Sequence, residues 1–138
     1  MTADEDRRGW MGLLAKAPSE ELARLWAAFG QAPGFAWLRA PEAGGVMVRG
    51  RAGATGAPFN LGEMTVTRCS LRLDSGEVGH AHVQGRDKDH ARRAALVDAM
   101  MQTAQAGAVR AAILDPLAHA LAGARAARAA RAAATKVD

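Results

Sequence analysis

The sequence predicts an α+β fold: a four-stranded antiparallel sheet with two N-terminal and two C-terminal helices packed against it. Three observations carry this expectation. Apolar residues recur at helical spacing before about residue 30 and again after Asp87. Between about residues 34 and 86 that spacing disappears, and Gly, Thr, Val and Arg become dense. The extended stretches in between are separated by turn signals and not by helices, so neighbouring strands run antiparallel. A chain of 138 residues fits one domain. We place that domain at residues 1–122, with residues 123–138 as an Ala/Arg-rich helix end or tail.

The first helix is expected from about 5 to 17, with Trp10, Leu13, Leu14 and Ala17 on one face; Gly9 and Gly12 weaken it. Pro18 ends it. Ser19 reads as the N-cap of a second helix, with Glu20 and Glu21 where the helix dipole favours anions. Leu22, Leu25, Trp26 and Phe29 form its apolar stripe, and Gly30 closes it. The first strand is expected at Phe35 to Arg39, ended by Pro41, and the second at Val46 to Arg51. The third runs from Met64 to Leu73 and the fourth from Glu77 to Gln84, joined by the hairpin signal Asp74-Ser75-Gly76. Apolar phase switches between Met64/Val66 and Cys69/Leu71/Leu73, which predicts a bulge or local irregularity around Thr67-Arg68. Asp87 caps a third helix through Ala91, Ala94, Ala95, Asp98 and Met101, reaching about Gln105. Gly107 reads as a stop. A last helix spans about Val109 to Ala134, broken or restarted at Pro116.

Composition narrows the function. Hydrophobic residues make up 49%, much of it Ala, and aromatics only 4%. The core is therefore thin and aliphatic, anchored by Trp10, Trp26, Trp37 and a few Phe, and such a core favours permanent partners. The single Cys69 excludes an internal disulfide. Acidic residues stand near the N-terminus where a signal peptide would be basic, and no apolar run approaches the ~20 residues of a membrane helix. The expected location is the cytoplasm. A net charge of +4 points to an anionic partner or substrate, or to simple solubility.

At residues 44 to 87 a family pattern emerges. The run Gly45-Val46-Met47-Val48-Arg49-Gly50-Arg51, continuing through Gly53, Thr55-Gly56, Pro58-Phe59-Asn60-Leu61-Gly62 and Met64-Thr65-Val66-Thr67-Arg68-Cys69, closely resembles the centre of PhnG proteins. So do Gly79 onward into Val83-Gln84-Gly85-Arg86-Asp87, the opening Arg8-Gly9-Trp10-Met11-Gly12-Leu13-Leu14-Ala15, and Leu38-Arg39-Ala40-Pro41-Glu42. Together these ordered blocks cover roughly residues 7 to 106 and are far more specific than one short motif. Gly53-Ala54 departs from the Gly pair common in the family, and the tail after 120 follows no family pattern.

The resemblance implies a subunit of the carbon–phosphorus lyase core complex, used in breaking down organic phosphonates. It implies work with PhnH, PhnI and PhnL to displace adenine from ATP by a phosphonate. The product is α-D-ribose 1-methylphosphonate 5-triphosphate. It also implies a core holding two copies each of PhnG, PhnH, PhnI and PhnJ, with nucleosidase chemistry in PhnI and iron–sulfur radical chemistry in PhnJ. ATP is then a substrate of the complex, and no cofactor is expected on this subunit alone.

The residues themselves supply few catalytic groups. Cys69 beside Arg68 has two readings, a lowered thiol pKa or a small buried apolar residue. His80 and His82 share one strand face and, with Asp87, Asp89 or His90, offer donors suited to zinc or iron; two histidines alone are a weak metal signal, and the other reading is that they line a subunit interface or sit on the exposed sheet face. Arg49, Arg51, Thr67, Arg68, Gln84 and Arg86 are the candidates for anion or substrate binding or for a subunit interface, and Arg72 accompanies them. No Gly-Lys-Ser/Thr ending follows the glycines, so this is not a P-loop. Met100-Met101 reads as core. Arg125, Arg128 and Arg131 recur every third residue in an Ala background, as a solvated tail or a basic face. Membrane and nucleic acid are not expected as partners. A basic nucleotide- or nucleic-acid-binding module and a purely structural scaffold stand as alternatives.

Overall fold

A computed structural model of the chain describes residues 2–51 and 58–135; the side chains of Arg49, Arg51 and residues 58–61 lie outside that description. Helices α1 (Ala3–Lys16) and α2 (Ser19–Phe29) precede strands β1 (Phe35–Arg51), β2 (Pro58–Leu73) and β3 (Val78–Gln84). Helix α3 (Lys88–Met100) follows, and a final helical stretch runs through α4 (Ala106–Val109), a π-helical turn at Arg110–Leu114 and α5 (Asp115–Thr135).

The fold is α+β, but among the described residues the sheet has three strands and not the four expected. The two first strands predicted are one. Pro41 does not end β1. Between Arg39, opposite Ser70, and Glu42, opposite Arg68, β1 carries one residue more than β2. Pro41 sits in that irregular step, on an edge strand, where a missing N–H costs no ladder bond. The bulge expected in β2 at Thr67–Arg68 is thus on the facing strand. The pairing of β2 with β3 runs unbroken from Val66↔Gln84 to Arg72↔Val78. The apolar phase is reconciled differently: Thr67 takes the inward position and donates its hydroxyl to Gly85 O at 2.6 Å.

α1 begins with a capping box: Thr2 Oγ1 accepts from Glu5 N–H while Glu5 accepts from Thr2 N–H. Ser19 is the first residue of α2 and not its cap; Pro18 stands at the N-cap, and Ser19 donates its hydroxyl to Asp87 Oδ2 at 2.6 Å. Gly30 closes α2 in the left-handed conformation (φ 74°). Asp87 caps α3 as expected, accepting from His90 N–H at 2.9 Å. α3 ends at Met100, short of Gln105. Gly107 does not stop a helix; it lies inside α4. Pro116 lacks the N–H an α-helix would use, and the backbone widens just before it: Asp115 N–H bonds to Arg110 O across a π-turn.

α3 is the centre of the molecule. His90, Ala91 and the run from Ala94 to Met100 are all buried, so neighbours cover it on several sides. It lies on β2 and β3, with α1, α2 and the final helical stretch around it. Its alanines permit a close approach. A Cβ on Gly79 of β3 would overlap the Ala95 carbonyl and sit 2.9 Å from the Ala99 methyl, so glycine is required there. Leu14, Leu22, Leu71, Ile113, Leu114 and Leu117 fill the rest of the core. Trp37 is not a core anchor: it is 38% exposed and packs edge-to-face on Phe35. Among the described residues, the outer halves of β1 and β2 beyond Val66 pair only with each other, forming a two-stranded ribbon.

Candidate functional site

The sheet has one face on α3 and one face open. Along β2, Thr67, Cys69, Leu71 and Leu73 point into the core while Arg68 and Arg72 are exposed and Ser70 is half-buried. Along β3, Ala81 and Val83 point inward and His80, His82 and Gln84 outward. The strand register then sets two rows across the sheet: Arg39, Ser70 and His80 in one, Glu42, Arg68 and His82 in the next. Strands are about 4.8 Å apart and same-face neighbours along a strand about 7 Å, so these groups fall within a patch roughly 10 Å across. Arg39, Arg68, Ser70, His80 and His82 line one shallow groove of about 530 Å³. It runs into a recess of about 160 Å³ between Arg39, Arg68, Glu42 and the Gly44–Gly45 backbone. Past His80 it reaches Asp4, Arg7, Arg8 and Met11 of α1. Among the described residues, neither Arg39 nor Arg68 has an ion-pair partner within 4 Å.

The sequence candidates divide clearly. Arg68 lies in the groove, with His80 and His82 at its β3 edge. Gln84 is exposed at the end of β3, and Arg86 is exposed just beyond it. Thr67 faces away, buried against Gly85. The side chains of Arg49 and Arg51 lie outside the described residues. His90 does not join His80 and His82: it is buried under α1, its Nε2 2.8 Å from Leu14 O. Among the described residues, no cluster of three His, Cys, Asp or Glu side chains has the geometry to hold a metal ion. Cys69 is buried and its thiol bonds to Ala91 O at 3.3 Å. Burial pushes that thiol up to about 11, the opposite of the lowering that Arg68 suggested. Met100 and Met101 are core.

The most constrained polar group is one the sequence reading placed only on an apolar stripe. Asp98 of α3 is fully buried. Its carboxylate accepts from Arg7 Nε at 3.1 Å and Nη2 at 2.8 Å, from Trp10 Nε1 at 2.7 Å and from His80 N–H at 2.9 Å. Arg7 also donates to Val78 O, and the Asp98 contact raises its pKa. A single carboxylate thus ties α1, α3 and the free edge of β3 together, and fixes the backbone of the residue whose imidazole enters the groove. A carboxylate amid Ala91, Ala94, Ala95 and Met101 was the signal that could have found it, since a buried charge requires donors. Arg39 and Ser70 were missed because only the observed register brings them opposite His80.

Comparison with known proteins fits this architecture. The family model described as "Phosphonate metabolism protein PhnG" matches residues 5–138. A relative from Rhizobium meliloti (strain 1021), named alpha-D-ribose 1-methylphosphonate 5-triphosphate synthase subunit PhnG, is 46% identical over 132 residues, covering 96% of this chain and 85% of that protein.

Proposed function

The chain belongs to the PhnG family of phosphonate metabolism proteins, and from that premise we propose that it is a subunit of α-D-ribose 1-methylphosphonate 5-triphosphate synthase, acting with other polypeptides in phosphonate breakdown. Its partners are PhnH, PhnI and PhnL in the displacement of adenine from ATP, and PhnH, PhnI and PhnJ in a core with two copies of each subunit. It works in the cytoplasm; among the described residues no helix is long and apolar enough to cross a membrane.

The subunit shapes or completes the assembly and does not provide the nucleophile. One observation carries this. The Asp98 carboxylate, the polar group most deeply buried in the interior, is saturated by Arg7, Trp10 and the His80 N–H, while the polar groups of the groove lie on an open sheet face. Cys69 agrees, since a thiol held near 11 is almost wholly protonated at neutral pH and is a poor nucleophile. Arg68, with Gln84 and Arg86 nearby, serves at that open face as an anion or interface residue.

Reconstitution tests the proposal. The purified partners should release adenine from ATP in the presence of methylphosphonate only when this chain is added, and native mass spectrometry of the co-expressed set should show it incorporated. Undiminished adenine release without the chain, or turnover by the chain alone, would refute it.

A further inference from the structure

We infer that the groove between Arg39, Arg68, Ser70, His80 and His82 is a binding site for a phosphate chain, fitted to the triphosphate group. The observations are geometric. Four cation-capable side chains meet over three adjacent strands, and the hydroxyl of Ser70 lies between Arg39 and His80 in the same row. All five line one continuous groove. Only one acid, Glu42, lies in the two rows, and it is not ion-paired to Arg68 among the described residues.

Arg39 and Arg68 are like charges without an ion-pair partner among the described residues, and a bound polyanion relieves their repulsion. The donor set suits phosphate oxygens. Guanidinium groups offer two parallel N–H bonds, and a hydroxyl and imidazoles add single ones. The site has a rigid floor. Its β2 and β3 residues alternate with Cys69, Ala81 and Val83, which are buried on α3, and His80 N–H is fixed by Asp98. The recess beside Gly44–Gly45 leads off one end of the groove and the Arg8 side of α1 off the other, so an extended chain of phosphates has room to lie along it. A compact single anion would engage only part of the set.

The inference rests on the synthase reading solely for which triphosphate is bound in the cell; the chemistry belongs to this chain's own side chains. The experiment is calorimetric titration of the full chain at about 0.15 M ionic strength, where exposed charges more than about 8 Å apart are largely screened. Tripolyphosphate, ATP, adenosine and inorganic phosphate are the probes. Tripolyphosphate and ATP should bind with similar affinity, inorganic phosphate at least tenfold more weakly, and adenosine not at all. Binding by ATP but not tripolyphosphate would overturn the inference in favour of a base-recognising site. Arg68→Ala and Arg39→Ala should each weaken tripolyphosphate about tenfold, while Arg24→Ala on α2 leaves it unchanged. Circular dichroism confirms that each variant is folded. Equal loss in all three variants, or no tripolyphosphate binding, overturns the inference. So does a pair of groove variants that bind tripolyphosphate normally but fail to join the partner subunits, which makes the face a protein interface. None of these outcomes depends on synthase turnover, so failure here and failure of the synthase reading are separable.

Discussion

Two regions of this protein are built on opposite terms. In the helical body, α3 is buried on nearly every side and its one buried acid, Asp98, is matched by four donors. In the outer ribbon, β1 and β2 pair only with each other among the described residues, and Met47 is 53% exposed. An isolated two-stranded hairpin is marginally stable in water at best. The body therefore stores the stability of the chain, and the ribbon and the groove at its base are the parts that gain from being covered. The difference teaches where a mutation will be felt: within the body as unfolding, on the ribbon as lost association.

The largest effect should come from Asp98→Ala. It leaves Trp10 N–H and His80 N–H without an acceptor in the core, and removing one partner of a buried pair costs about 3–5 kcal/mol. Urea denaturation should show the loss, and a cost under about 1 kcal/mol would mean that the network is not what ties α1 to β3. Gly79→Ala comes next, at about 1–3 kcal/mol, because the new methyl must displace the Ala95 backbone and not a flexible side-chain end. Thermal unfolding reads it, and an unchanged midpoint would show that the α3–β3 approach is looser than described.

Asp87→Ala should cost about 1 kcal/mol through the lost cap of α3. The Ser19 hydroxyl, then His90 N–H, hold the Asp87 carboxyl below its ordinary value of 3.8. Its stabilising effect is therefore full above about 3.8 and fades as the pH falls through the lower folded-state value. A pH series of urea midpoints should show wild type and variant converging in acid. Met47→Asp sharpens the comparison from the other side. At an exposed site it should change the stability of the lone chain by less than about 0.5 kcal/mol. In co-expression, however, it should reduce incorporation into the partner complex. If it unfolds the lone chain, the ribbon belongs to the core after all.

The sequence made the helical body readable because its signals are local. Gly30 as a left-handed stop, Asp87 as a cap and the Asp74-Ser75-Gly76 hairpin all specify structure within a few residues. The ribbon was harder. Pro41 carries a local message to end a strand, and only the pairing partner's register shows that the missing N–H falls in an irregular step. The number of strands was therefore misjudged by one. The apolar phase switch between Val66 and Cys69 misled for a related reason: it suggested an irregularity in β2, whereas Thr67 takes the inward position and its hydroxyl finds Gly85 O. The site was legible in part. Arg68, His80 and His82 were visible as chemistry-bearing residues. Arg39 and Ser70 joined them through register, which no local pattern records. Asp98 was visible on its stripe, but its four donors come from two distant segments of the chain, α1 and β3.

Hydrogen–deuterium exchange on this chain, alone and within the co-expressed complex, tests the contrast most directly. The α3 amides should be protected in both states, and those of β1 and β2 beyond Val66 should gain protection only in the complex. Exposed α3 amides in the lone chain, or a ribbon that exchanges equally in both states, would contradict the division of the molecule into a self-sufficient body and a surface completed by its partners.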